Sequence, residues 1–188
     1  MATKPLKVGF DFDGVLLYNP TRIVRGPVVL FKHFFLPRRE KKFTIPKGRI
    51  AKFAWQMAHL SSFMIAPGLD EIERLVRTGK IEAHIITARF DFLEDDFKRK
   101  LRNVNKNGIF TSAHFNKKNE QPHLFKERMI KEMKLEVFIE DNYNIVSYLS
   151  KKHTTKVFWI YNLFDRNINH PYKFPNLRRA VERLKKTL

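Results

Sequence analysis

The chain has 188 residues, 43% hydrophobic with 18 Phe and 30% charged, and it contains no cysteine. That suits one domain with a small insertion, excludes disulfides and thiolate metal sites, and leaves no apolar run near the ~20 residues that span a bilayer. The formal net charge is +18, a field that attracts phosphate-bearing molecules from nucleotides to RNA, although a solubility adaptation accounts for it as well.

The N-terminal stretch MATKPLKVGFDFDG has no long apolar region of the secretory type, so a soluble cytoplasmic protein without membrane contact is expected. Lys7 to Phe12 is short and apolar and reads as a buried first strand. From Tyr18 to Met64 the texture changes to aromatic and basic, punctuated by Pro20, Gly26, Pro27, Pro37, Pro46 and Gly48. Inside that insertion Ile50, Phe53, Ala54, Met57 and Leu60 follow helical spacing. Pro67 and Gly68 open a helix over LDEIERLVRTG, ending at Gly79. A second strand is expected at Ile81 to Ile86, a charged helix at Asp91 to Val104 and a third strand at Gly108 to Ser112. A helix from Gln121 to Met133, a strand from Leu135 to Ile139 and a short helix through Ile145, Val146 and Leu149 follow. A fifth strand covers Lys156 to Tyr161, and Leu177, Val181, Leu184 and Leu188 stripe the last helix. Alternating strands and helices predict an α/β domain: a Rossmann-like, mainly parallel five-stranded sheet flanked by helices. Its core is expected at 1–17 and 65–188, with a small helical cap at 18–64.

Polar groups follow three of these strands: Asp11-Phe12-Asp13-Gly14, Thr87-Ala88-Arg89 and Glu140-Asp141-Asn142, and Lys126 lies on the helix before the fourth strand. In a parallel sheet such groups converge at the carboxyl edge, where ligands bind. The set suits phosphoryl transfer through a carboxylate. A divalent cation offsets the negative charge of a carboxylate nucleophile as it nears phosphate, and oxygen ligands suit Mg²⁺. A hydroxyl and an ammonium can hold the other phosphate oxygens. A second carboxylate can give a proton to the leaving oxygen and take one from water.

In order and spacing these segments resemble the haloacid dehalogenase (HAD) superfamily of phosphatases. DFDGV resembles the first motif, DxDGx, IITAR the second, Lys126 the third and VFIEDN the fourth. The resemblance implies Asp11 as the nucleophile that becomes an aspartyl-phosphate and Asp13 as the acid/base, with its backbone carbonyl on Mg²⁺. Asp141 would ligate the metal together with Asp11, with Glu140 beside it or acting through water. Thr87 and Lys126 would bind phosphate, and Phe12, Gly14 and Ala88 would lend backbone amides. KERMIKEMKLEVFIEDNYN and VFWIYNLFDRNIN resemble the small bacterial 5'-nucleotidase-like branch, with Asn167 where that branch carries proline. A phosphorylated small molecule, nucleotides among the candidates, is the substrate class this implies.

Several residues keep a plainer reading. Asp13-Gly14 alone fits a hairpin turn, and Thr87 fits a helix cap. Lys117, Lys118 and Lys131 compete with Lys126 as the phosphate-binding lysine. Arg89 fits either substrate binding or a surface ion pair with Asp91 or Glu94. Ten lysines and arginines lie between Arg22 and Lys52, interleaved with Phe and Trp. That pattern serves a nucleic-acid-contacting cap, and equally an amphipathic cap with a solvated basic face. The seven histidines show no metal-ligand spacing.

Overall fold

The computed structural model describes residues 4–18, 48–60, 62–152, 154–162 and 165–188. Its sheet is organised around β1 (Leu6–Phe10), which pairs in parallel with β4 (Ile81–Thr87) on one side and β6 (Val137–Glu140) on the other. Beyond β4 lies β5 (Ser112–Phe115), and beyond β6 lie β7 (Lys156–Ile160) and β8 (Lys173–Phe174). The order is therefore β5-β4-β1-β6-β7-β8, parallel throughout. After β5 the chain crosses back over β1 to build the other half. The carboxyl ends of β1 and its two neighbours thus flank the point where strand order reverses.

Both faces of the sheet are covered, and this is why its strands read as near-continuous apolar runs rather than alternating ones. Helices α2 (Leu69–Arg77), α3 (Glu94–Val104) and α6 (Leu177–Lys185) cover one face. Ile72, Leu75, Phe97, Val181 and Leu184 pack there with Val8, Phe10, Ile85, Phe158 and Ile160. Helices α4 (Pro122–Met133) and α5 (Tyr143–Lys152) cover the other, where Phe125, Met129, Ile145 and Leu149 meet Ile86, Phe138, Val157 and Trp159. Neighbours such as Val157 and Phe158 go to opposite faces, as the two-residue pleat requires. Each fully buried side chain of this kind contributes about 1.5–3 kcal/mol of transfer free energy.

The structure departs from the sequence expectation in a few places. A sixth strand, β8, extends the five expected; two residues are too few to carry a pattern. The third strand lies at Ser112–Phe115 rather than Gly108–Ser112. Ile109 and Phe110 are buried as lead-in, where Asn105 Oδ1 accepts from the Phe110 amide at 2.9 Å. The charged helix begins as a 3₁₀ turn at Asp91–Leu93 before α3. In the expected cap, helix α1 (Arg49–Leu60) forms where the spacing placed it, yet Ile50, Phe53 and Met57 on its apolar stripe are 87%, 63% and 52% exposed. Residues 19–47, with most of the aromatic and basic stretch, lie outside the described residues, as do Leu163 and Phe164 of the VFWIYNLFDRNIN segment. At the root of the insertion, β2 (Leu17–Tyr18) and β3 (Met64–Ile65) pair antiparallel, Leu17 with Ile65 and Tyr18 with Met64. Helix α1 rests on the segment after β4: the Trp55 ring is 6.1 Å from that of Phe90, and Gln56 Nε2 donates to the Phe92 carbonyl at 3.4 Å. No described helix is long and apolar enough to cross a membrane.

Candidate active site

The first strand's ladder runs one residue past β1, because the Asp11 amide donates to the Ile139 carbonyl at 2.9 Å. That bond sets Asp11 beside Glu140, the last residue of β6. Lys126, on the inner face of α4, reaches between them. Its Nζ lies 3.0 Å from Asp11 Oδ1 and 2.6 Å from Glu140 Oε2, and all three side chains are buried. Glu140 Oε1 accepts from the amides of Asp141 and Asn142 at 3.1 and 2.9 Å. Asp11, Glu140 and Asp141 each bring a carboxylate oxygen within 4.8 Å of the others.

Asp11 and Glu140 thus share one ammonium, with the Asp141 carboxylate beside them. Burial pushes the Asp11 carboxyl well above the usual range against the pull of Lys126, and Glu140 and Asp141 add to the rise. Glu140 is raised chiefly by burial as well. Burial would lower Lys126, but Asp11 and Glu140 outweigh it and hold the ammonium charged. The donor set fits Mg²⁺: it is all oxygen, and a divalent cation would relieve the burial and mutual repulsion that raise Asp11 and Glu140. Both Glu140 oxygens are already engaged, so a cation there would be offered Asp11 and Asp141 directly, with Glu140 fixing their setting.

Gly14 is where the loop after β1 meets this cluster. Its φ is +80°, and a Cβ there would stand 2.2 Å from Asp141 Oδ2, so only glycine fits the turn. Its amide, expected to face phosphate, instead donates to the Leu17 carbonyl at 2.8 Å and closes the turn toward β2. Trp159 Nε1 donates to the Asp141 carbonyl at 3.2 Å from the far side.

The second aspartate has its own cation. Arg89 grips both carboxylate oxygens of Asp13, Nε to Oδ2 at 2.6 Å and Nη2 to Oδ1 at 2.7 Å, while Nη1 donates to Asp96 Oδ2 at 2.8 Å. Burial alone would raise the Asp13 carboxyl, but the guanidinium charge and its two hydrogen bonds hold it well below the usual range. The expected surface ion pair of Arg89 with Asp91 or Glu94 is therefore not what forms. Arg89 is 3% exposed, lies 5.1 Å over the Phe12 ring and pairs with Asp13 and Asp96 instead. Two adjacent carboxylates coexist because each has a separate buried cation.

Of the other expected site residues, Thr87 is buried at the end of β4, where its Oγ1 accepts from the Arg89 amide at 3.4 Å. It does not cap the following 3₁₀ turn, whose N-cap is Phe90. Phe12 is buried edge-on against Phe97, and Ala88 packs against the α4–α5 core. Lys117 and Lys118 are exposed, and Lys131 pairs with Glu127 at 2.8 Å, so Lys126 is the one of the four lysines at the carboxylate cluster. Sequence reasoning missed Asp96, Lys100 and His59. His59 Nδ1 on α1 comes within 3.6 Å of Asp13 Oδ2. Asp96 and Lys100 sit one helical turn apart on α3, a spacing too common on charged helices to single out.

No protein-family model and no curated protein matches the sequence. Solved structures do. The HAD-hydrolase YfnB of Bacillus subtilis, whose structure is bound to magnesium, superposes with a TM-score of 0.62 at 11% identity, over 97% of this chain and 100% of that one. CbbY of Rhodobacter sphaeroides, in complex with phosphate, gives 0.55 at 13% identity over 94% and 98%. A haloacid dehalogenase-like hydrolase of Streptococcus pneumoniae gives 0.56 at 14% over the whole of both chains. At these identities the likeness is one of architecture, and on it the chain has the fold of the haloacid dehalogenase-like hydrolases.

Proposed function

We propose that the protein is a Mg²⁺-dependent phosphomonoester hydrolase that works through an aspartyl-phosphate on Asp11. The observation that carries this reading is the cluster of buried Asp11 and Glu140, which share Lys126, with half-buried Asp141 beside them, at the carboxyl edge where strand order reverses. A buried excess of negative charge is costly to a fold, and a site for a divalent cation and a phosphate gives it a use. YfnB with magnesium and CbbY with phosphate support the same reading.

Asp11 attacks phosphorus and the bond to the leaving oxygen breaks; Asp13, ionised under Arg89 until substrate enters, takes a proton from the incoming phosphate monoester and passes it to that oxygen. Water then attacks the aspartyl-phosphate, Asp13 takes its proton, and phosphate leaves with Asp11 restored. Lys126 and the Thr87 hydroxyl, with the backbone amides of Phe12 and Ala88, hold the non-bridging oxygens. Bound Mg²⁺ would lie on Asp11, Asp141 and the Asp13 carbonyl and would offset the charge between carboxylate and phosphate. The substrate is a phosphorylated small molecule. A nucleotide is favoured by the resemblance of the Lys126–Asn144 and Val157–Asn169 segments to nucleotidases and by the charge of +18.

The test is release of inorganic phosphate from 5'- and 3'-nucleotides, sugar phosphates and 5'-phosphorylated oligonucleotides. Each is run with Mg²⁺, with chelator and with Asp11→Asn. Turnover that needs Mg²⁺ and vanishes in Asp11→Asn is the expected result. Absence of turnover throughout, with tight and steeply salt-dependent oligonucleotide binding, would replace the enzyme by a nucleic-acid-binding protein on this fold.

A further inference from the structure

Arg89 stands at the centre of a closed ring of contacts that the phosphate chemistry does not require. It holds both oxygens of Asp13 and, through Nη1, Asp96 Oδ2. Lys100 Nζ approaches that same Asp96 oxygen at 3.0 Å and donates to the backbone carbonyl of His59 at 2.7 Å. His59 then turns its buried Nδ1, which has no hydrogen-bond partner, to 3.6 Å from Asp13 Oδ2. The ring runs Asp13, Arg89, Asp96, Lys100, His59 and back to Asp13. It joins the loop after β1, the end of β4, helix α3 and helix α1.

All three guanidinium nitrogens of Arg89 are committed to the protein's own carboxylates, and the side chain is almost fully buried. Three of its five N–H bonds are used in this way, and burial leaves the other two little access to a substrate. What a two-pronged guanidinium–carboxylate contact supplies is direction, because both oxygens are fixed at once. The Asp13 carboxylate lies outside the cluster of Asp11, Glu140 and Asp141, so its aim depends on this second set of contacts. A carboxylate that relays the substrate's proton must meet the leaving oxygen within hydrogen-bond reach, and small errors of placement are costly.

We propose that Arg89 is the positioning residue of the acid/base Asp13, and that the contacts running through Asp96 and Lys100 to the His59 carbonyl tie the aim of Asp13 to the seating of helix α1. The proposal rests on the phosphohydrolase reading above. A merely structural ion pair would affect every substrate alike. A positioning role would not, because nitrophenolate leaves without a proton whereas an alkoxide needs one.

The experiment compares kcat and KM of wild type, Arg89→Lys and Lys100→Met on p-nitrophenyl phosphate and on an alkyl phosphate, with Mg²⁺. Arg89→Lys keeps the charge but loses the two-pronged grip. It should lose roughly 10²-fold in kcat on the alkyl ester and at least about tenfold less on the aryl ester, with KM little changed. Lys100→Met, which cuts the ring away from Asp13, should show the same bias more weakly, and it decides the matter if Arg89→Lys does not fold. Equal losses on both esters, or no loss, with an active wild type overturn the positioning role alone. A wild type that releases no phosphate from either ester, with or without Mg²⁺, overturns this proposal and the hydrolase reading together.

Discussion

Replacing Gly14 by alanine makes two separable demands on the structure. The first is conformational: φ of +80° lies in the left-handed region, which costs a residue bearing a Cβ about 1–2 kcal/mol. The second is contact. The new Cβ would stand 2.2 Å from Asp141 Oδ2, whereas ordinary contact begins at 3.4 Å. The Asp141 carboxylate must therefore retreat by about 1.2 Å, the gap between those distances, or the turn must open. Asp141 belongs to the carboxylate cluster, as a metal donor in the proposed reaction, and a misplacement of about 1 Å at a reacting centre can cost about 10²-fold in rate. Gly79 provides the control, since its φ of +66° is also left-handed but nothing lies within 4 Å of its Cβ position. Both variants should lose about 1–2 kcal/mol in urea unfolding. Only Gly14→Ala should also lose about 10²-fold in phosphate release and need more Mg²⁺ for half-maximal rate. Wild-type activity and Mg²⁺ response in Gly14→Ala, or an equal loss in Gly79→Ala, would refute the contact argument.

Lys126→Met leaves Asp11 and Glu140 buried without their ammonium. It should destabilise the protein by about 3–5 kcal/mol in denaturant unfolding, with millimolar Mg²⁺ restoring part of the loss through the same carboxylates. His84, on β4, is held below the usual histidine range by burial, with Glu82 raising it and Lys7 and His114 lowering it further. Its depressed value means that the unfolded chain takes up the proton first. Stability is full above the unfolded value and falls as pH drops through it toward the folded value. The midpoint of thermal unfolding should therefore fall between pH 7.5 and 5.5, and His84→Asn should show a shallower fall; equal slopes would remove His84 from the account. Phe158, buried between Tyr172 and Phe174 at ring separations of 5.3 and 5.0 Å, should cost about 3–5 kcal/mol as Phe158→Ala. Hydrogen exchange in that variant should rise first at β8, which leans on this ring.

The sheet was readable because buried parallel strands are mostly apolar and the residues that end them are polar. KVGF, IEAHII, VFI and KVFWI all declare themselves in this way. The positions of Asp11, Thr87, Glu140 and Asp141 followed from those ends, and Lys126 followed from a resemblance that the geometry then placed beside Asp11. What was not readable lies across the chain rather than along it. Nothing near Asp13 names Arg89, 76 residues away, as its partner, and a guanidinium one residue beyond Ala88 looks like any surface charge until burial is known. Asp96 and Lys100 look like a solvated helical pair, and His59 looks like one histidine among seven. Apolar composition also overstates pairing and burial. Ile109 and Phe110 are core without being strand, while Ile50 and Phe53 make a helical stripe and yet face outward.

The antiparallel pairing of Leu17 with Ile65 and Tyr18 with Met64 makes the insertion modular. The chain leaves the core and returns to it through adjacent backbones, so the sheet senses only the neck and not the length of what hangs from it. An Asn-Gly turn joining Tyr18 directly to Met64 suits the two-residue hairpins favoured between such strands, and it would leave every pairing of the six-stranded sheet in register. Insertions of other sizes could be exchanged at the same neck. Such a graft would inherit Asp11, Lys126, Glu140 and Asp141 intact, but it would have to supply its own substitute for His59.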